Sequence, residues 1–380
     1  MPTLFIPRER VHGETRVAAT PETVRHYVEK GCEVMLESSA GGEASFGDAE
    51  YAEAGAAIVD SPPEERVDAV LLVSAPSSDD PTWRAVGEGT LVLGFVDPFQ
   101  RDDLLDLARE RGATLVSVEL VPRITRAQSM DALSSQASIA GYKAVLLAAS
   151  RLDRYFPLLM TAAGTIKPAR VVVMGGGVAG LQALATARRL GAVVEVSDIR
   201  PEVEEQVESL GGRFIDLPEL ETGAGEGGYA KQMGEEFLRR QREIVKRHVA
   251  AADVVICTAQ VPGKKAPTLV TADMVEAMRA GAVIVDLAAP QGGNCELTSL
   301  EKEVDADGVT ILGPLNLPAS MPRDASVLYA RNVEALVGEA LEEDELTIDL
   351  ENDVLVGCVV VLDGRAVHPK FSHLEAEVTG

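Results

Sequence analysis

The chain has 380 residues, of which 46% are hydrophobic and 25% charged, with 60 Asp and Glu against 35 Lys and Arg and a formal net charge of −25. Such a length suggests about two to three domains, and the apolar content supports a sizeable core. The acidic balance opposes nucleic-acid binding, which needs Lys and Arg against phosphates, and no run approaches the roughly 18 apolar residues that span a bilayer.

We therefore expect a soluble chain with a solvated acidic face and no secretory signal. Cys32, Cys257, Cys295 and Cys358 lie far apart with no CxxC, which suits a reducing cytosol and argues against a zinc site. Cys257 and Cys358 sit in apolar runs and read as buried. The histidines form no ligand spacing, so no metal is expected, and His368 and His373 read as surface residues.

In chain order, short apolar runs at 4–7, 33–36, 69–73, 91–96 and 114–118 alternate with helix-like stretches such as 21–30 and 101–111. Thr20 followed by Pro21 marks a helix start. Trp83 reads as an anchor between loop and core. Residues 134–154 read as a long connector helix, with Tyr142 on it packing. Strand candidates at 171–174, 193–198, 214–217, 254–258, 283–287 and 310–312 are rich in β-branched residues, as in strands buried on both faces. A helix over 326–343 would return the chain to the first domain, which 354–361 would complete.

This alternation predicts an α/β fold of two Rossmann-like, doubly wound parallel-sheet domains. The second is inserted in the first, and long connector helices join them. We place the discontinuous domain at 1–132 and 326–380 and the inserted one at 133–325. Within the latter, the glycine-rich segment 219–234 reads as a mobile lid over a cofactor, with Tyr229 its only aromatic residue.

The segment from Val171 to Leu181 reads as a strand, a GxGxxG turn and a helix start. Gly175 allows the tight turn, Gly177 lets backbone approach a pyrophosphate, and Gly180 lets the helix pack close. The helix N-terminus, at Val178 and Ala179, then offers amides to the anion. Asp198 ends the next strand about 20 residues on, where a ribose diol is held. It favours NAD over NADP, although Arg200 beside it tempers that preference. We group Ile199 with this pair. In doubly wound sheets the strand ends line the ligand crevice, which adds Thr258, Ala259, Gln260, Leu287 and Asn294 as candidate contacts or braces.

The densest polar stretch runs from Arg123 to Gln136. Its two guanidiniums, amide, carboxylate and hydroxyls, beside a dinucleotide pocket, can hold a nicotinamide ring, yet it holds no obvious acid or base for chemistry on an alcohol, amine or acid. Arg126 reads as the partner of an acidic neighbour. Gln136 either caps the helix or faces the crevice.

At this point the sequence resembles the NAD(H)-binding component, domain I, of proton-translocating nicotinamide nucleotide transhydrogenases. The resemblance rests on Pro122 to Asp131, Met160 to Thr165, Gly177 to Gln182, Glu205 to Gly212, Gly228 to Lys231 and Pro262 to Pro267, and covers nearly the whole chain. The segment 122–131 is that family's Arg-Gln-Asp loop.

The resemblance implies that Gln128 bonds toward the nicotinamide ribose and the facing nucleotide. Arg123, Asp131 and Ser134 would fix the carboxamide, and Tyr229 would belong to a mobile loop. It further implies hydride exchange between NAD(H) here and NADP(H) on a separate domain of a beta subunit, coupled to proton movement by membrane subunits. A homodimer peripheral on the cytoplasmic side of the cell membrane is expected, in the split form whose membrane parts are other polypeptides.

Alanine dehydrogenase is the alternative, since Pro7 to Arg10 and Glu14 to Ala18 resemble both families. Its pattern puts a Lys after the strand near Val73, a His after the strand near Val96 and an Asp before Gln-Gly-Gly. This sequence has Ser74-Ala75-Pro76, Asp97-Pro98 and Pro290 there. A non-catalytic NAD-binding subunit is the other reading.

Overall fold

The computed structural model describes residues 1–217, 240–261, 263–342 and 345–371. The expected lid at 219–234 with Tyr229, and His373, lie outside the described residues.

Strands β1 (Thr3–Ile6), β2 (Glu33–Glu37), β3 (Ala57–Val59), β4 (Ala69–Ser74), β5 (Leu91–Phe95) and β6 (Thr114–Ser117) alternate with helices α1 (Pro21–Glu29), α2 (Asp48–Glu53) and α3 (Asp102–Glu110). A 3-10 turn, Thr125–Met130, leads into α4 (Ala132–Arg151). The hairpin β7 (Leu159–Thr161) and β8 (Gly164–Ile166) precedes β9 (Arg170–Met174), α5 (Val178–Arg189), β10 (Val193–Ser197), α6 (Val203–Ser209) and β11 (Arg213–Phe214). Helix α7, described over 240–250, is followed by β12 (Val254–Cys257), α8 (Ala272–Glu276), β13 (Val283–Asp286), β14 (Glu303–Ala306) and β15 (Val309–Leu312). Then come α9 (Pro322–Ala340), the hairpin β16 (Leu341–Glu342) and β17 (Glu345–Leu346), α10 (Leu355–Cys358), β18 (Val359–Leu362) and β19 (Arg365–Ala366).

These elements form two compact units, residues 1–136 with 318–380, and residues 137–317. Helix α4 crosses the division, whereas α9 lies wholly in the first unit. The first unit's sheet runs β19-β18-β6-β5-β4-β1-β2-β3, parallel from β6 to β3, with β18 antiparallel to β6. The second runs β11-β10-β9-β12-β13-β15-β14, with only β14 antiparallel. In each, the order reverses beside the first strand, between β1 and β4 and between β9 and β12. Such a point opens a crevice at the carboxyl ends of the strands.

Alternate residues of each central strand feed cores on opposite faces. Val171 and Val173 pack with Val254 and Ile256, whereas Val172 and Met174 pack with Val255 and Cys257. Burial on both faces explains why these runs are continuously apolar. At α1, Thr20 and Thr23 bond each other's backbone amides in a reciprocal cap, with Pro21 in the first turn.

Where the chain departs from expectation, the causes are local. The apolar run 354–361 splits into α10 and β18, because a short apolar run reads the same for a buried helix as for a buried strand. Within 214–217, only Phe214 joins a strand. Helix α9 begins at Pro322 rather than Ser326, since proline suits a first helical turn.

His368 is a correction, being 8% exposed, packed on Phe371 and held below its usual pKa chiefly by burial. Tyr142 is more exposed than a packing residue, at 37%. Trp83 is buried, its indole N–H donating to the Ser77 carbonyl. Cys32, Cys257, Cys295 and Cys358 are all buried, and none forms a disulfide.

Candidate dinucleotide and nicotinamide sites

The turn after β9 is built around glycines, and at Gly175 and Gly180 there is no room for a side chain. Gly175 has φ +107°, and a Cβ there would sit 2.7 Å from the Thr258 hydroxyl. A Cβ on Gly180 would lie 1.9 Å from the Gly175 carbonyl oxygen, so the helix start approaches the turn only without one. At Gly177 a Cβ would meet nothing within 4 Å, so this face of the turn is open. Gly177 is also the N-cap of α5 and supplies no side-chain cap, which leaves the first-turn amides for another acceptor.

Asp198, just past β10, accepts from the Gly176 amide at 2.7 Å. It also accepts from the Arg200 backbone at 2.9 Å and from its guanidinium at 3.0 Å on each oxygen. Burial pushes this carboxyl up, but the hydrogen bonds from Arg200 and Gly176 outweigh it and hold the pKa below the usual value. Ile199 is 84% exposed, and Val178 is exposed beside the turn.

The ends of β12 and β13 brace this turn. Thr258 donates its hydroxyl to the Met174 and Gly175 carbonyls at 3.2 and 3.0 Å, and Gln260 donates to the Leu287 carbonyl at 2.7 Å. Asn294 is fully buried. Its amide accepts from Ala259 N–H and donates to the Ala259 and Pro267 carbonyls, so it holds the 259 loop in place rather than facing a ligand. Sequence reasoning passed over Asp286, a buried carboxylate accepting from the Ala288 and Cys295 amides and the Thr298 hydroxyl. A lone acid ending a strand run was its only signal.

In the first unit, Arg123 precedes the 3-10 turn, Gln128 lies on it, Asp131 follows it and Ser134 lies at the start of α4. Arg123 and Gln128 are exposed, and neither side chain is hydrogen bonded among the described residues. Asp131 accepts from the Ser134 amide at 2.8 Å and from its hydroxyl at 2.6 Å. The Ser134 oxygen lone pairs remain to accept from an amide. Arg126 pairs with Glu339 and Asp353, as an acidic neighbourhood implied.

The first unit's own switch point is differently furnished. Glu9 takes the Val73 and Ser74 amides at the end of β4, at 2.6 and 3.2 Å. Burial, then the charge of Glu14, raise its pKa to about 8. Glu14 forms a buried pair with Arg16, which in turn donates to Gln136 at 2.9 Å. Sequence reasoning quoted Glu9, Glu14 and Arg16 only as part of a resemblance.

An uncapped helix start, an open glycine face and an acidic strand end fit a dinucleotide's pyrophosphate and ribose. Guanidinium, amide, carboxylate and hydroxyl together match the donors and acceptors of a carboxamide. Among the described residues, no group of His, Cys, Asp and Glu could hold a metal ion, and no helix is long and apolar enough to cross a membrane.

Comparison with known proteins shows the family. Residues 5–140 match the family model "Alanine dehydrogenase/PNT, N-terminal domain", and residues 144–369 match "Alanine dehydrogenase/PNT, C-terminal domain". An NAD(P) transhydrogenase alpha subunit polypeptide from Rhodospirillum rubrum is 44% identical over 378 residues, 97% of this chain and 98% of that one. A crystal structure of transhydrogenase from Sinorhizobium meliloti superposes with TM-score 0.87 at 39% identity, covering 96% of this chain and all (100%) of that one. An L-alanine dehydrogenase structure gives TM-score 0.79 at 28% identity, covering 99% of each chain. The chain therefore belongs to the alanine dehydrogenase/PNT family, on the side of its NAD(P) transhydrogenase alpha subunits.

Proposed function

We propose that this chain is the NAD(H)-binding component of a proton-translocating transhydrogenase. Bound dihydronicotinamide supplies a hydride to NADP⁺ held on a separate domain of a beta subunit. The observation that supports this reading is the Arg123, Gln128, Asp131 and Ser134 set, whose donors and acceptors suit a ring carboxamide and whose one carboxylate is engaged by the Ser134 amide and hydroxyl. Hydride exchange between two nicotinamides leaves no proton to collect at the reacting carbon. Orientation alone can remove roughly 7–11 kcal/mol of such a barrier, so anchors suffice.

In this reading the α5 amides and Gly177 hold the pyrophosphate, and Asp198 holds the ribose. Arg200, Ile199 and Val178 border the adenosine, while Thr258, Ala259, Gln260 and Leu287 shape the turn's far side. Arg123 donates to the carboxamide oxygen, Asp131 and Ser134 accept from its nitrogen, and Gln128 orients the ribose toward the facing nucleotide.

Membrane subunits couple the exchange to protons, and the chain works as a homodimer on the cytoplasmic side of the cell membrane. Exposed Leu158, Met160 and Ile166, at 52%, 73% and 39%, put several apolar side chains on or beside the hairpin, which supports self-association. The alanine dehydrogenase reading lacks support at Ser74, Asp97 and Pro290.

The test is Gln128→Asn, read by NADH titration and by transfer to NADP⁺ on a separately made partner domain. Near-normal affinity with a large loss of rate is expected. Robust alanine-dependent NAD reduction by the wild-type chain would overturn the reading.

A further inference from the structure

We propose that Asn332, on α9, is a positioning residue for the nicotinamide-binding loop, its one carboxamide joining the turn that carries Gln128 to the helix start that carries Ser134. This rests on the transhydrogenase reading above. Asn332 is 9% exposed. Its Nδ2 donates to the Ser129 carbonyl at 2.7 Å, and its Oδ1 accepts from the Ser135 hydroxyl at 2.7 Å. Asp131 lies between those two anchor points in sequence and caps α4 from there.

The loop needs such an anchor. Its six residues, Thr125–Met130, form a 3-10 turn, which has poorer hydrogen-bond geometry than an α-helix and is rarely this long unaided. The Asp131 amide reaches the Gln128 carbonyl only at 3.4 Å. Ala127 and Met130 give it two buried apolar contacts. Arg126 ties the outer side of the turn to Glu339, Asn352 and Asp353, but through a half-exposed guanidinium.

The Asn332 bonds are shielded, and they are backed from behind. Gln136 donates to the Ser135 oxygen at 3.2 Å and to the Ala325 carbonyl at 3.1 Å, while its own oxygen accepts from Arg16. The Glu14–Arg16 pair thus fixes Gln136, Gln136 fixes Ser135, and Asn332 ties Ser135 to Ser129. Asn332 acts on Gln128 only through the neighbouring Ser129 carbonyl.

Asn332→Asp keeps the shape and the acceptor for Ser135 but removes the donor to Ser129. In the ligand-free full-length chain, hydrogen exchange of the Ala127 and Asp131 amides should quicken, while segments of the second unit stay as in wild type. NADH affinity should stay within about twofold while hydride transfer to a supplied NADP⁺-binding domain falls on the order of tenfold or more, since about 1 Å of misplacement can cost on the order of 10²-fold.

Ser135→Ala removes the other arm without adding a buried charge, and the same pattern is expected should Asn332→Asp melt early. Unchanged exchange across 125–135 in both variants, or a lower melting temperature with undiminished transfer, would overturn the proposal. A wild-type chain that transfers no hydride to any partner-bound NADP⁺ sinks the functional reading instead; the exchange measurement on the ligand-free chain judges the Asn332 link separately.

Discussion

Two carboxylates stand at the two switch points and meet opposite surroundings. Asp198 is flanked by a guanidinium and backbone amides and is held ionised. Glu9 is shut in beside Glu14, and the Val73 and Ser74 amides with Arg16 offset only part of the burial. The unfolded carboxyl of Glu9 loses its proton near the usual value of 4.5, whereas the folded one keeps it to about 8. Between these values the folded chain binds more protons, so this residue's contribution to stability declines as pH climbs from the lower to the upper, and levels off beyond. Glu9→Gln should flatten that decline, which melting temperatures taken from pH 5 to pH 9 will show; an unchanged pH slope would mean the side chain is better hydrated than its contacts indicate. In the proposed reading, the contrast accounts for a dinucleotide on the glycine turn rather than at the first unit's strand ends. At β4 the amides are already occupied by the chain's own acid.

At the scale of the elements, α4 and α5 approach too closely for a side chain at Gly141. A Cβ on Gly141 would fall 2.1 Å from the Ala179 carbonyl oxygen, in the first turn of α5. Gly141→Ala should therefore push the two helices apart and cost about 1–3 kcal/mol by overpacking. It should also weaken NADH binding, because the displaced turn carries the amides of Val178 and Ala179; calorimetric titration beside thermal unfolding separates the two effects. Central strands such as β9 and β12 were legible from their β-branched runs, and α1 from Thr20 and Pro21, because those signals are local. The hairpin β7–β8, the edge strand β14 and the short β3 were not, since strands of 3 or 4 residues leave no period to read. The glycine turn and the Arg123–Ser134 set announced themselves as motifs. Asn332 and Gln136 did not, because their roles arise only when residues far apart in sequence are brought together.

At the scale of the whole molecule, a net charge of −25 sets a background of self-repulsion. Added salt screens it, so the melting temperature should rise with ionic strength before any specific ion effect. Docking on an acid-seeking partner surface should weaken over the same range, and assembly measured against salt checks this directly. The cysteines follow the division of the chain, with Cys32 and Cys358 in the first unit and Cys257 and Cys295 in the second. Burial raises the pKa of Cys358 to about 12 and pushes Cys257 well up, so neither is reactive while its surroundings stay shut. A thiol-trapping dye added to the native chain thus becomes a pair of stopwatches. Whichever sulfurs are captured first name the half of the molecule that breathes more readily, and the lag before the others is the interval by which its companion outlasts it.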